Sequence, residues 1–271
     1  MSNEQKCDAI VLKTADYKDY DKVLTIFSAD FGKQKVLLKG CKREKAKQRY
    51  AGQPFFFGEF LIAKGKGYDI VTTVAPKKTF IDLTKDYDAY LNASQVLKTI
   101  DISCLSQASE RQFLLLLTYL TVLEKYLNHS ELFTCKFFVE YLKMQGLSLN
   151  ISECSNCGKP LKEAYFDTMQ NCFVCENCRN YQSIPIKNSQ LEVLKQLDEK
   201  KFMSLVELNY NNNEIKALKT IIFDAIQRIF QWNLKIFAKK KEKSVRKLYN
   251  KHRTRFLGKK LGVTKRRWKG N

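Results

Sequence analysis

Four cysteines carry the most specific chemical signal in this sequence. They stand as Cys154-Ser155-Asn156-Cys157 and Cys175-Glu176-Asn177-Cys178, a C-x2-C-x17-C-x2-C spacing. Two residues between paired cysteines let one tight turn aim both thiolates at a single ion, and two such turns complete a tetrahedron. Gly158 and the Asn inside each pair suit turns of that kind. Four thiolates leave no open coordination position. The expected group is therefore one structural Zn2+ held by Cys154, Cys157, Cys175 and Cys178. A redox Cys-x-x-Cys would want a helix N-terminus in a βαβ context, which this pattern lacks. Cys172 could replace Cys175 only by stretching the second turn and reads as a bystander. Cys7, Cys41, Cys104 and Cys135 are scattered and read as buried or incidental thiols.

The second signal is a density of cations. Of the formal +20 carried by 271 residues, residues 33–49 hold +7 and residues 239–271 hold +14, which leaves a nearly neutral body. Lys33, Lys35, Lys39, Lys42, Arg43, Lys45, Lys47 and Arg49 make up the first block, with Glu44 its one acid. A merely solvated face usually mixes signs, whereas neutralising phosphates needs such a run. Tyr17, Tyr20, Tyr50 and Tyr68 lie in or beside predicted loops, where a ring can stack on an unpaired base. Ordinary packing is the default for any one of them. The tail mixes its charge with Tyr249, Phe256, Leu257 and Trp268 and reads as an arm that folds onto nucleic acid.

Groups for catalysis are scarce. His129 and His252 are the only histidines, and no phosphate loop, dinucleotide fingerprint or nucleophile elbow occurs. Asp82, Asp86 and Asp88 cluster where a helix should begin and read as first-turn acids. A non-catalytic protein is expected. The opening Met1–Lys6 has no apolar run behind a basic cluster, and the longest apolar stretch, Phe113–Leu123, has 11 residues. A bilayer span needs about 20, so a cytoplasmic location without membrane is expected.

The elements that must position these groups follow from punctuation. Six of 11 glycines fall in the first 67 residues, while residues 77–145 contain neither Gly nor Pro. The first part therefore reads as β and the second as helical. Strands are predicted over Asp8–Thr14, Lys22–Ser28, Gln34–Lys39, Phe55–Ala63 and Tyr68–Val74. Asp30–Lys33 and Gly65–Gly67 serve as turns, and Gly40–Gly52 is a long basic loop. Five short strands suit a small barrel, of the OB type or an SH3-like one. Helices are predicted over Asp86–Ile100, Glu110–Leu127 and Glu131–Gln145, with Ser109 and Ser130 as N-caps and Gly146 as a stop. After a cysteine-rich insert at 150–181, Pro185 and Ser189 lead into another helix. Ile215, Leu218, Ile222, Ala225, Ile226, Ile229 and Phe230 form an apolar stripe expected to be bundle core.

Several runs together resemble the bacterial RecO recombination-mediator family. They are Ala9–Tyr17, Asp21–Phe27, Phe31-Gly32-Lys33, Lys39–Arg43, Gln53-Pro54-Phe55 and Gly65–Asp69. The resemblance covers about residues 8–235. It implies an α+β chain: an N-terminal five-stranded OB-type barrel (1–80) that binds nucleic acid, followed by an α-helical domain (81–238) with an inserted zinc site. Residues 239–271 remain a basic C-terminal tail, longer than the family warrants. The implied function is DNA repair and homologous recombination. The protein would bind single- and double-stranded DNA near the nucleoid and anneal complementary strands. With RecR-like and single-strand-binding proteins as partners, it would help load recombinase. The competing expectation is an RNA-binding or ribosome-associated zinc protein, because barrels, zinc knuckles and basic tails serve RNA equally well. A metal-dependent nuclease is a third.

Overall fold

The computed structural model describes residues 4–103, 108–147 and 149–230. The chain divides into two compact units, Met1–Gln227 and Arg228–Asn271. The first carries the architecture that follows.

Five strands open the chain: β1 (Glu4–Tyr17), β2 (Asp21–Ser28), β3 (Gly32–Leu38), β4 (Phe56–Ala63) and β5 (Asp69–Thr79). They pair in the order β1-β2-β3-β5-β4, with β4 returning to β1, which is the expected OB-type order. The long β1 makes this possible. Its first half pairs with β4 and its second half with β2, and the register shifts between Val11 and Lys13. Alternation along β4 sends Phe56, Phe60 and Ile62 inward, where they meet Ala9, Val11, Leu24, Ile26, Val36 and Val71. The seam between β3 and β5 is short and parallel: only Val36↔Asp69 and Leu37↔Ile70 pair.

The barrel differs from expectation at β5, which runs on past Val74 to Thr79. Pro76 lies opposite Gly58, where the register of β4 against β5 shifts and no regular ladder bond is needed. A Cβ on Gly58 would lie 2.6 Å from the Ala75 carbonyl oxygen, so the close approach requires glycine.

Three helices follow: α1 (Tyr87–Ser103), α2 (Glu110–Lys125) and α3 (Ser130–Met144). Asp86 accepts from the Ala89 N–H and Ser109 from the Gln112 N–H, as caps should. Gly146 (φ +72°) stops α3: its N–H reaches the Lys143 carbonyl and that of Leu147 reaches Leu142, a Schellman closure. Ser130 is not the N-cap. It is helical and buried, His129 caps, and the Ser130 hydroxyl accepts from the Asn92 amide at 3.2 Å. Glu131 is likewise buried, paired with Lys219 at 2.6 Å.

A three-stranded sheet, β6 (Ala164–Asp167), β7 (Cys172–Val174) and β8 (Ile184–Ile186), interrupts the helices in the order β7-β6-β8. Helix α4 (Asn188–Glu199) comes next, then α5, which within this unit covers 212–227. The stripe Ile215, Leu218, Ile222, Ala225 and Ile226 is buried, as expected of bundle core. Phe113 of α2 meets Phe27 and Phe57 of the barrel, so strands and helices share an aromatic contact. No helix among the described residues is long and apolar enough to cross a membrane.

Candidate nucleic-acid interface and metal centre

The long basic loop is built from consecutive turns. Asp21 and Lys22, adjacent at the start of β2, hold its two ends: the Asp21 carboxylate accepts from the Gly40 N–H at 2.7 Å, and the Lys22 ammonium donates to the Gly52 carbonyl at 2.9 Å. Between them, Arg43, Ala46, Arg49 and Ala51 each donate a backbone N–H three residues back. The second half alternates. Ala46, Gln48 and Tyr50 face inward, and Lys45, Lys47 and Arg49 are exposed. With Lys42 and Arg43, also exposed, they form a row of cations on an ordered backbone. Gln48 and Tyr50 donate to the Thr72 and Val74 carbonyls of β5. They thereby satisfy acceptors beyond the point where β3 stops pairing.

The other cations of the block divide. Lys35 and Lys39 are exposed. Lys33 is not free: its ammonium donates to the Asp101 carbonyl and lies 3.6 Å from the Asp101 carboxylate, which also binds Lys13. Lys33 ties β3 to the end of α1. Lys42 pairs with Asp16 at 2.9 Å, and that hydrogen bond holds the Asp16 carboxyl below its usual range.

The tyrosines also divide. Tyr50 packs against Phe56 in the barrel. Tyr17 and Tyr68 meet edge to face at 5.9 Å, and Arg43 lies over one face of Tyr20 at 5.4 Å. The alternation Lys45–Tyr50 was a readable signal in the sequence, whereas the pairing of Tyr17 with Tyr68, 51 positions apart, was not. The tail 239–271, its aromatics, His252 and Cys104 lie outside the described residues.

The four expected cysteines converge. The Sγ atoms of Cys154, Cys157, Cys175 and Cys178 all lie within 4.8 Å of one another, and those of Cys157 and Cys175 are 3.8 Å apart. Tetrahedral bonds of ~2.3 Å would put sulfurs about 3.8 Å apart, so the group fits one metal ion. The turns are as the spacing requires. The Gly158 N–H reaches back to the Cys154 carbonyl with φ +70°, and the Cys178 N–H reaches the Cys175 carbonyl. Phe166 and Phe173 pack edge to face beneath, and Ser155 donates its N–H to the Phe173 carbonyl. Burial alone would push the Cys154 thiol up. Backbone N–H groups of Cys175, Cys157 and Asn156 outweigh it and bring the thiol down to about 6, and hydrogen bonds with Cys157 and Cys175 push Cys178 up to about 12. Cys172 stays outside the four, beside the Gln170 amide. Cys7, Cys41 and Cys135 are buried thiols. His129 bonds the Tyr210 hydroxyl at 2.9 Å, an element-joining role.

Residues 1–80 match the family Recombination protein O N terminal, and residues 84–238 match Recombination protein O C terminal. The chain belongs to the RecO family. It is 28% identical to the DNA repair protein RecO of Desulforamulus reducens over 85% of this chain and 91% of that one. The same-named protein of Caldicellulosiruptor bescii is 26% identical over 85% and 95%, and that of Desulfitobacterium hafniense 27% over 75% and 77%. Barrel, helices and cysteine insert are thus one RecO chain of the α+β class, and the family's business is DNA repair.

Proposed function

We propose that this RecO-family protein is a non-catalytic recombination mediator that binds single- and double-stranded DNA and anneals complementary strands. In this reading residues 1–80 are the nucleic-acid-binding domain, residues 81–238 the helical domain, and residues 239–271 an accessory basic arm. The observation that carries it is the row Lys42, Arg43, Lys45, Lys47 and Arg49, all exposed on one ordered loop of the barrel. Cations fixed in a row neutralise successive phosphates and release counterions, which lets two polyanionic strands approach. Lys35 and Lys39 extend the row, and Lys33 anchors the strand beneath it.

The cysteine cluster is read as one structural Zn2+ on Cys154, Cys157, Cys175 and Cys178. Closed thiolate coordination would contribute folding energy to the insert and supply no open position for chemistry. RecR-like and single-strand-binding proteins are the proposed partners in loading recombinase. An apolar groove of about 630 Å³ between α2, α3 and residues 199–204 offers a seat for an apolar peptide segment. Leu114, Met144 and Met203 line it together with charges of both signs, Arg111, Lys200 and Lys201 on one hand and Glu140 and Glu199 on the other.

The test is annealing of complementary oligonucleotides. Acceleration at moderate salt, weakened by Gln at the loop cations, supports the reading. Tight RNA binding without DNA annealing would favour the ribosome-associated alternative, and cleavage with magnesium would favour a nuclease.

A further inference from the structure

Three of the four candidate tyrosines lie at strand ends of the barrel: Tyr17 meets Tyr68, and Tyr20 meets Arg43 of the basic loop. Tyr17 ends β1, Tyr20 closes the turn into β2, and Tyr68 leads into β5. Tyr20 is 53% exposed and Tyr68 39%. The rings of Tyr17 and Tyr68 stand at 84° with centroids 5.9 Å apart, so the edge of one meets the face of the other. Arg43 lies over one face of Tyr20, and Lys18 lies over the Tyr17 ring 5.5 Å from its centroid, which leaves the opposite faces for a base.

The surroundings fix these rings without burying them. The Tyr20 carbonyl accepts from the Lys42 N–H at 3.0 Å, which joins the turn to the basic loop. Asp16 is paired with Lys42, Asp69 with Lys64, and Asp21 with the Gly40 N–H, so these three carboxylates are engaged; Asp19 is the exposed acid of the turn. A Cβ on Gly65 would lie 2.0 Å from the Tyr68 carbonyl oxygen, so the bend that presents Tyr68 demands glycine there. A base offers a π-face that such a ring accepts in single strands but not within a stacked duplex.

We propose that Tyr17, Tyr20 and Tyr68 form a stacking platform for unpaired bases of single-stranded nucleic acid, while the row from Lys42 to Arg49 follows its phosphates. The inference rests on the nucleic-acid reading above and names what part of the ligand this surface takes. It gives the protein a preference for single strands that the cations alone cannot supply, since phosphate contacts are blind to base exposure.

The test uses the full chain and three labelled ligands of equal length: a mixed-sequence single strand, the same strand with abasic spacers, and a duplex. The wild type should bind the base-bearing strand about ten-fold or more tighter than the abasic one. Tyr17→Leu/Tyr68→Leu and Tyr20→Leu should erase much of that difference and leave the salt slope unchanged, because no cation is lost. Tyr17→Phe/Tyr68→Phe should retain it, and Gly65→Ala should mimic loss of Tyr68. Equal wild-type affinity for abasic and base-bearing strands overturns the proposal without altering any residue, so a folding failure of the Leu variants cannot shelter it. Leu variants that melt cooperatively and still discriminate as the wild type does also overturn it. Failure of the wild type to bind any of the three ligands would instead remove the nucleic-acid reading itself.

Discussion

The Tyr50 hydroxyl donates to the Val74 carbonyl at 3.1 Å and, with Gln48 on Thr72, joins the basic loop to the barrel where β3 and β5 share only two paired residues. The loop that presents the cations therefore also closes the weakest seam. Tyr50→Phe keeps the ring against Phe56 and removes the bond. A loss of about 1 kcal/mol is expected, read from the urea midpoint. DNA affinity should fall slightly although no charge has changed. Unchanged stability and affinity would mean the seam holds without the loop.

Among the cations of residues 33–49, the structure separates row from anchor. Changing Lys42, Arg43, Lys45 and Lys47 to Gln should weaken DNA binding about equally across sequences. It should flatten the salt dependence by roughly 0.7 per lost single-strand phosphate contact. Lys33→Gln should do the reverse, lowering the melting temperature through its lost Asp101 contacts while the salt slope stays put. Titrations at several salt concentrations beside melting curves decide it. Asp16→Asn, which frees Lys42, should steepen the slope.

Much of this was legible because it is local. The cysteine spacing demands two facing turns, and the glycine-free run 77–145 demands helix. What escaped was long-range. Pro76 looks like a strand end until Gly58 is found opposite it, and Lys33 looks like a DNA contact until Asp101 arrives from 68 residues away. Ser130 reads as a cap, yet it is helical and bonded to Asn92, and the first-turn acid Glu131 stands where expected but buried against Lys219. No periodicity encodes a partner on another element.

The cysteine centre predicts metal dependence of the insert. Cys154→Ser or Cys178→Ser should lose one zinc per chain by elemental analysis and unfold at lower temperature, since binding free energy is folding free energy in such sites. Cys172→Ser should keep the metal, as its sulfur stands outside the four. Acidification should release the ion as protons compete for thiolates. Native protein purified without zinc would sink the assignment.

Burial raises the Cys7 thiol to about 11 and the Cys135 thiol to about 12 from an ordinary 9.0. The unfolded chain therefore sheds these protons first, and above about pH 9 it binds fewer than the native state does. Stability from both thiols is full below that pH and is lost as pH rises through about 11 and about 12. Cys135→Ala creates a small cavity but should reduce the alkaline slope of the melting temperature. An identical slope in the variant would show that other groups govern it.

The ion pair of Lys219 with Glu131 is the most consequential buried polar contact in the helical part. Both side chains are 5% exposed, and Lys219 also donates to the Asn92 amide oxygen at 2.5 Å while Asn92 donates to Ser130. These bonds join α1, α3 and α5 at one point. Removing one charge strands the other away from water, so Lys219→Met or Glu131→Leu should cost about 3–5 kcal/mol. Lys216, 3.9 Å from Glu131, can relieve the first only in part, because its own side chain is mostly exposed. Lys219→Met with Glu131→Leu removes both charges together and replaces them with apolar volume. That double variant should lose clearly less than the sum of its parts, a coupling well beyond the few tenths expected of independent sites. Urea unfolding of the four proteins closes the cycle. Simple additivity would mean that the two charges do not depend on each other, and that the apolar packing of Ile215, Leu218 and Ile222 alone positions α5 against α3.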